Sequence, residues 1–409
     1  KRLIGRCFDD HTVQTDLMYL PFTIVNRLNQ PYICINMCGQ QKEYSPEEFM
    51  ATILLHLKSL AERKLQATIQ HVVVSIPSCY TYTQRQATLS ACALAEFSFF
   101  RLVHEPSAIA LSYAHKNPTT LDTTYLLIFH LGGGTFDTSV AAVDEGIVEI
   151  VATIGENHLG GEDLDQRLID HCLAEFNQIH RIDISSDPQA LQCLRIACET
   201  AKCTLSSTAQ SSVAVQYCYK DLEVSLSLTQ AFFQQLCYDI FFRTINAVKK
   251  VLNNARIERS LINEVILVGG TAQIPCIRDW ISGFFPGKRI ISDVQQDVGV
   301  GQGLAIQAAI LSGIIPEHTR KLLLLDIVPH VIEINIGDKW IEVFPANTTV
   351  PAQKTYKFAT YPWGTPVHIY ENSSKLHQLD FFLIPLSEYT IKLDLNGILS
   401  IEMCSTTSD

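Results

Sequence analysis

Apolar and polar positions in this chain alternate in blocks rather than uniformly. His71 to Ile76 and Phe100 to Val103 are short continuous apolar runs that read as buried strands. Each feeds a helical pattern, over Thr83 to Ala95 and over Pro106 to Ala114, the latter opened by a proline in its first turn. Upstream, after a mixed stretch, Pro46 to Leu65 reads as an amphipathic helix that Ser45 and Glu48 start as a capping box. Strands alternating with helices imply a parallel or mixed sheet with helices packed on it. The centre is different: strands at Tyr125 to Phe129, Thr135 to Val143 and Ile147 to Ile154, joined by Gly132-Gly133-Gly134 and Asp144-Glu145-Gly146, predict an antiparallel meander. Beyond Gly160-Gly161 come helices at Asp163 to Phe176 and Ala190 to Leu205, a hairpin near Val213 to Leu226 and one long helix from Thr229 to about Asn254. A second strand-glycine-helix unit follows, Val265 to Val268, Gly269-Gly270 and a helix after Pro275. Helical periodicity stops at Gly313; Leu322 to Leu325 reads as a short apolar tether, and Ile327 to Glu402 as short strands and turns of an all-β unit.

The 409 residues suit two to three domains, and 47% apolar against 18% charged residues is the balance of a folding chain. Net charge is −11 without a Lys/Arg block, so neither nucleic acid nor an anionic membrane is an expected partner. No apolar run is long enough to span a bilayer, and the first residues lack the pattern of a secretory signal. Thirteen scattered cysteines predict reduced, mostly buried thiols and a cytoplasmic or nuclear setting. Cys193, Cys198 and Cys203 are five residues apart, which turns each about 140° from the last on a helix and argues against a metal site there.

Glycine turns at the ends of buried strands can present backbone N–H groups to a phosphate chain, since no Cβ blocks its approach. Four features occur in one order: Lys1 near the start, Glu105-Pro106 at a strand end, Gly132 to Asp137, and Val268 to Thr271. With Lys1 to Arg6, Gln84 to Thr88, His104 to Ala108, Leu131 to Asp137, Leu159 to Asp163, Leu267 to Gly270, Leu322 to Asp326, Asn347 to Pro351 and Asn396 to Leu399, the whole chain resembles the seventy-kilodalton heat-shock chaperone (Hsp70) family.

The resemblance implies an α/β actin-like ATPase core of two ribonuclease-H-like lobes, then an all-β sandwich that holds peptides. The expected divisions are 1–312 for the nucleotide-binding domain without its first strands, 313–326 for an apolar linker, and 327–409 for an incomplete β-sandwich. It implies ATP or ADP and Mg²⁺ as cofactors, extended apolar polypeptides as ligands, and J-domain co-chaperones and nucleotide exchange factors as partners. By position, Lys1, Glu105, Thr135 and Asp137 match the catalytic residues, with Asp137 near the magnesium through water. Gly132, Gly133, Gly134, Gly160, Gly161, Gly269, Gly270 and Thr271 match the phosphate and nucleoside loops. Glu199, Lys202 and Ser206 match the edge that holds adenosine, and Asp297 a late acidic residue of the same site. Val367 and Ile369 are expected to line the peptide groove.

Departures from the family's pattern temper the expected activity. His130 stands where the family carries an aspartate facing the magnesium, and a hard octahedral cation favours oxygen over imidazole. Cys203 and Gln273 replace arginines that stack on adenine, a loss of roughly 0.5–2 kcal/mol each. Lys321 and Leu89 depart at positions tied to coupling between domains. A further phosphate loop of the family would lie before Lys1, and the last sandwich strand and lid after Asp409, so the chain reads as truncated at both ends. Two readings stay open: an ATP-dependent chaperone with weakened hydrolysis, and a non-catalytic pseudo-ATPase that serves as a scaffold for co-chaperones or related chaperones.

Overall fold

The computed structural model describes residues 1–409 except 38, 118–121, 182–183, 185–186, 208–211, 220–221, 293–297, 314–320, 359–360, 377–378, 385–386 and 406–409. The chain opens with helix α1 (His11–Leu17), capped by the Asp10 carboxylate, and the antiparallel strands β1 (Ile24–Arg27), β2 (Gln30–Met37) and β3 (Gln40–Tyr44). Helix α2 (Pro46–Leu65) carries the predicted capping box and ends at Gln66 in the left-handed region. Strand β4 (His71–Ile76), helix α3 (Tyr82–Leu94), strand β5 (Phe99–His104) and helix α4 (Glu105–Lys116) follow, with β4 and β5 paired in parallel as a sheet of two.

The meander is present as β6 (Thr124–Leu131), β7 (Phe136–Asp144) and β8 (Ile147–Glu156). Glu145 and Gly146, both at positive φ, close the β7–β8 hairpin in the manner of a type I′ turn. Two long helices follow, α5 (Gly161–His180) and α6 (Pro188–Ser207), then the hairpin β9 (Ser212–Tyr219) and β10 (Leu222–Thr229). The single helix expected next is two, α7 (Gln230–Leu236) and α8 (Tyr238–Ala255), because Cys237 leaves helical geometry at φ −106°, ψ 11°. Strand β11 (Glu264–Val268), helix α9 (Pro275–Phe284), strand β12 (Arg289–Ile291) and helix α10 (Gly299–Ser312) complete this part, Gly313 stopping α10 at φ +70°.

Part of the expected tether is docked as a strand. Leu323–Leu325 forms strand β13, which pairs in parallel with β8 and completes a six-stranded sheet in the order β12-β11-β6-β7-β8-β13. An edge strand offers unpaired backbone groups, and the Leu323 N–H takes the Gly146 carbonyl at 3.0 Å while Leu322 buries its side chain. Along β6, Leu127 and Phe129 pack into one core with α5, α6 and α8, and Leu126 and Ile128 into another with α4. Burial on both faces is why this strand reads as an unbroken apolar run.

The remainder is strands: β14 (Ile327–Val328), β15 (Ile332–Ile336), β16 (Lys339–Phe344), β17 (Thr348–Thr349), β18 (Ala352–Lys357), β19 (Pro366–Glu371), β20 (Ser374–Lys375), β21 (Phe381–Phe382), β22 (Ser387–Leu393) and β23 (Leu399–Ser405). The sheet β16-β15-β19-β20 and the sheet β18-β22-β23 share one core, in which Ile334, Val367 and Ile369 meet Tyr389, Ile391 and Leu393. This β-rich unit sits against α3 and β5. Arg85 and Glu371 form an ion pair at 2.7 Å with both side chains 1% exposed, and the Glu371 carboxylate also accepts the Tyr82 N–H. Asn396 accepts the Leu102 N–H at 2.9 Å, and buried Asp326 accepts from Ser107 and pairs with His104.

Candidate nucleotide site

Three glycine turns meet at the C-terminal ends of β6 and β11 and the start of α5. The Gly161 N–H donates to the Gly132 carbonyl at 3.0 Å, the Glu162 N–H to the Gly133 carbonyl at 2.7 Å, and the Thr271 hydroxyl to the Gly132 carbonyl at 2.9 Å. The approach is too close for side chains: a Cβ at Gly160 would lie 2.4 Å from the Gly133 oxygen, and one at Gly269, whose φ is +96°, 2.2 Å from the Leu131 oxygen. At Gly133 and Gly270, by contrast, a Cβ would meet nothing within 4 Å. Their N–H groups, with that of Gly134, donate to no protein acceptor among the described residues. The turns are therefore tied to one another on one side and leave N–H donors open on the other, a set suited to phosphate oxygens.

Beside the turns lies a buried charged cluster. His130 and Asp137 are cross-strand partners on β6 and β7, and Glu105 opens α4. Lys1 Nζ donates to Glu105 Oε1 at 2.6 Å, His130 Nδ1 lies 3.2 Å from Glu105 Oε2 and 3.9 Å from Asp137 Oδ2, and the Ser78 N–H and hydroxyl both donate to Asp137 Oδ1. Burial works against a charged imidazole, but contact with Asp137 and Glu105 overrides it and raises His130 to about 9. Burial also works to raise Glu105, and here the contact with His130 and the charge of Lys1 outweigh it and hold the carboxyl at about 2. The imidazole is thus held in its charged form against the Glu105 carboxylate.

Of the expected residues, Lys1, Glu105 and Asp137 come together, and Thr135 is buried with its carbonyl accepting the Gly132 N–H at 3.1 Å. The expected adenosine edge is divided. Lys202 Nζ is taken up by Asp165 at 2.6 Å and the Gly161 carbonyl, and the Ser206 hydroxyl bonds back to the Lys202 carbonyl. Glu199 alone is exposed, on a cavity of about 680 Å³ that Arg2, Asp16, His158, Asp163 and Arg195 also line. Asp297 lies outside the described residues. Val367 and Ile369 are 0% exposed within the core of the β-rich unit, where they present no surface to a peptide.

The sequence reading missed Ser78, which holds Asp137, and Arg2, whose guanidinium pairs with Asp163 at 2.9 Å and Asp16 at 3.5 Å. For Arg2 the signal was its place beside Lys1; for Ser78 there was none, since its partner is 59 residues away. Magnesium, which the resemblance implies, does not fit the cluster as it stands. Mg²⁺ asks for an octahedron of oxygens, whereas a ring nitrogen occupies the position facing both carboxylates.

A family model described as "Hsp70 protein" matches residues 1–374. The chain is 38% identical over 98% of its length to the "Heat shock 70 kDa protein" of Neurospora crassa, of which it covers 65%, and 36% identical over 98% to the "Heat shock cognate 70 kDa protein 3" of Dictyostelium discoideum, of which it covers 67%. It is also 37% identical over 98% of its length to a ribosome-associated molecular chaperone of Eremothecium gossypii, covering 68% of that protein. The chain spans about two thirds of the length of these relatives, and slightly less for the first.

Proposed function

Because this chain belongs to the Hsp70 family, whose core is an actin-like ATPase, we propose that it is an Hsp70-like chaperone that binds ATP or ADP but hydrolyses ATP poorly. The open N–H groups of Gly133, Gly134 and Gly270 support phosphate binding. One observation carries the loss of hydrolysis: His130 stands between Glu105 and Asp137, so the carboxylates that would organise the magnesium waters are neutralised by protein cations. In this reading residues 327–409 form a β-sandwich that takes extended apolar polypeptides. The docked strand β13 and the Arg85–Glu371 pair hold that unit against the nucleotide lobes, and a groove opens when it is released. J-domain co-chaperones, exchange factors and a cytoplasmic or nuclear setting belong to the same proposal.

The test is single-turnover ATP hydrolysis with magnesium for the parent chain and for His130→Asp. We expect the parent to show a nucleotide-dependent thermal shift with little turnover, and the variant to hydrolyse at least about tenfold faster. A parent and a variant that both lack the thermal shift would remove nucleotide binding. Anisotropy of a labelled Leu-rich peptide tests the second half, where saturable binding is expected.

The second reading, a non-catalytic scaffold for co-chaperones or related chaperones, is favoured by the placement of Val367 and Ile369 deep in the core. It predicts no saturable peptide binding in any nucleotide state.

A further inference from the structure

Three atoms converge in the charged cluster: His130 Nδ1, Glu105 Oε2 and Asp137 Oδ2. All lie within 4.8 Å of one another and all are buried, and the contacts of His130 Nδ1 with the two carboxylates, at 3.2 Å and 3.9 Å, fall short of hydrogen-bond geometry. A buried polar atom without a well-formed hydrogen bond is costly, more so if charged, so three that face one point call for an occupant. The opposite oxygen of each carboxylate is held from outside, Glu105 Oε1 by Lys1 Nζ and Asp137 Oδ1 by Ser78. Such outer partners orient metal-binding carboxylates while leaving the inner oxygen free.

We propose that His130, Glu105 and Asp137 form a site for a first-row transition ion of the Mn²⁺ to Zn²⁺ series in place of magnesium. One imidazole and two carboxylates are a donor set suited to those ions, and the ring nitrogen discriminates against Mg²⁺. Bonds of about 2.0–2.2 Å to nitrogen and oxygen place neighbouring tetrahedral donors roughly 3.4 Å apart. The observed separations of 3.2 Å and 3.9 Å bracket that spacing. A seated ion takes the place of the proton on His130 Nδ1, and its remaining positions stay open to water or to a phosphate oxygen arriving from the glycine turns. The site is complete without nucleotide and so stands apart from the chaperone reading.

The experiment uses the full chain, stripped with a chelator and free of nucleotide. Co²⁺ is titrated and followed by visible absorption, and Mn²⁺ by pulsed electron paramagnetic resonance. We expect one Co²⁺ per chain with d–d bands and no thiolate charge-transfer band, and Mn²⁺ with nitrogen modulation from one imidazole. His130→Ala should weaken binding by about 100-fold or more, His130→Asp should abolish the nitrogen modulation, and millimolar Mg²⁺ should not displace the ion. Co²⁺ bands of thiolate type alone would overturn the site, as would Mn²⁺ without nitrogen coupling in the unaltered chain. The nitrogen signal is read on the parent protein, so misfolding of a variant does not blunt the test.

Discussion

Gly155 shows how narrowly one position can be set by chemistry elsewhere. A Cβ there would stand 2.6 Å from both Asp137 Oδ1 and Ser78 Oγ and 2.8 Å from the Cys79 nitrogen. Only glycine lets the β7–β8 pair close over the buried Asp137–Ser78 contact. Gly155→Ala should lower stability by about 1–3 kcal/mol through overpacking, read as a shift in the urea midpoint, and should disturb the charged cluster as well. The Arg85–Glu371 pair makes the opposite point. Glu371→Gln leaves a guanidinium buried without its counter-charge, which costs about 3–5 kcal/mol, whereas Arg85→Met with Glu371→Leu removes both charges and should recover most of that loss. Denaturation of the two singles and the double gives the coupling directly. Residues with only local demands were legible from the sequence: Ser45 as a cap, Gly313 as a stop and Glu145-Gly146 as a turn each act within a few positions of themselves. His130 was legible as a departure, but its meaning depends on Glu105 and Asp137 lying beside it, which no local pattern states.

Among the elements, β13 carries the clearest consequence. Three residues pair with β8, and Leu322 is anchored in the core beneath α4 and α10. Leu322→Asp puts a charge into that core. The expected result is fast amide exchange at Leu323 and loss of the strand, with β6, β7 and β8 still protected. The apolar run at 322–325 was plain in the sequence, but a run of leucines is equally a free tether or an edge strand, and the choice rests on an open neighbour 176 residues earlier (Leu323 beside Ile147). Val367 and Ile369 show the same limit in a strand of period two. Alternation says they share a face with one another, not whether that face meets a groove or a core. The β6 to β8 meander and the glycine turns were legible because strand, turn and strand are adjacent in the chain.

At the scale of the whole molecule, two carboxylates join the nucleotide lobes to the β-rich unit, and both are held low. Burial works to raise Asp326, but His104, Arg101 and Ser107 bring it to about 2; burial likewise works to raise Glu371, and Arg85 and His330 bring it to about 2. Because the docked values lie below the ordinary 3.8 and 4.5, the stabilisation is complete above about pH 4.5 and is lost as pH falls toward 2. Small-angle scattering should therefore show an unchanged radius from pH 7 to 5 and an expanding particle below about pH 4, with Glu371→Gln expanded already at neutral pH. The same joint has a consequence for synthesis. Tyr82, at the head of α3, belongs to the core of the β-rich unit, and the carboxylate that receives its N–H lies 289 residues later. At roughly 5–20 residues per second, a ribosome takes about 15–60 s to deliver that partner after Tyr82 has been made. Through that interval the Tyr82 N–H and the Arg85 guanidinium lack the Glu371 carboxylate that later holds them, so the nascent chain is most open to capture between its own two halves.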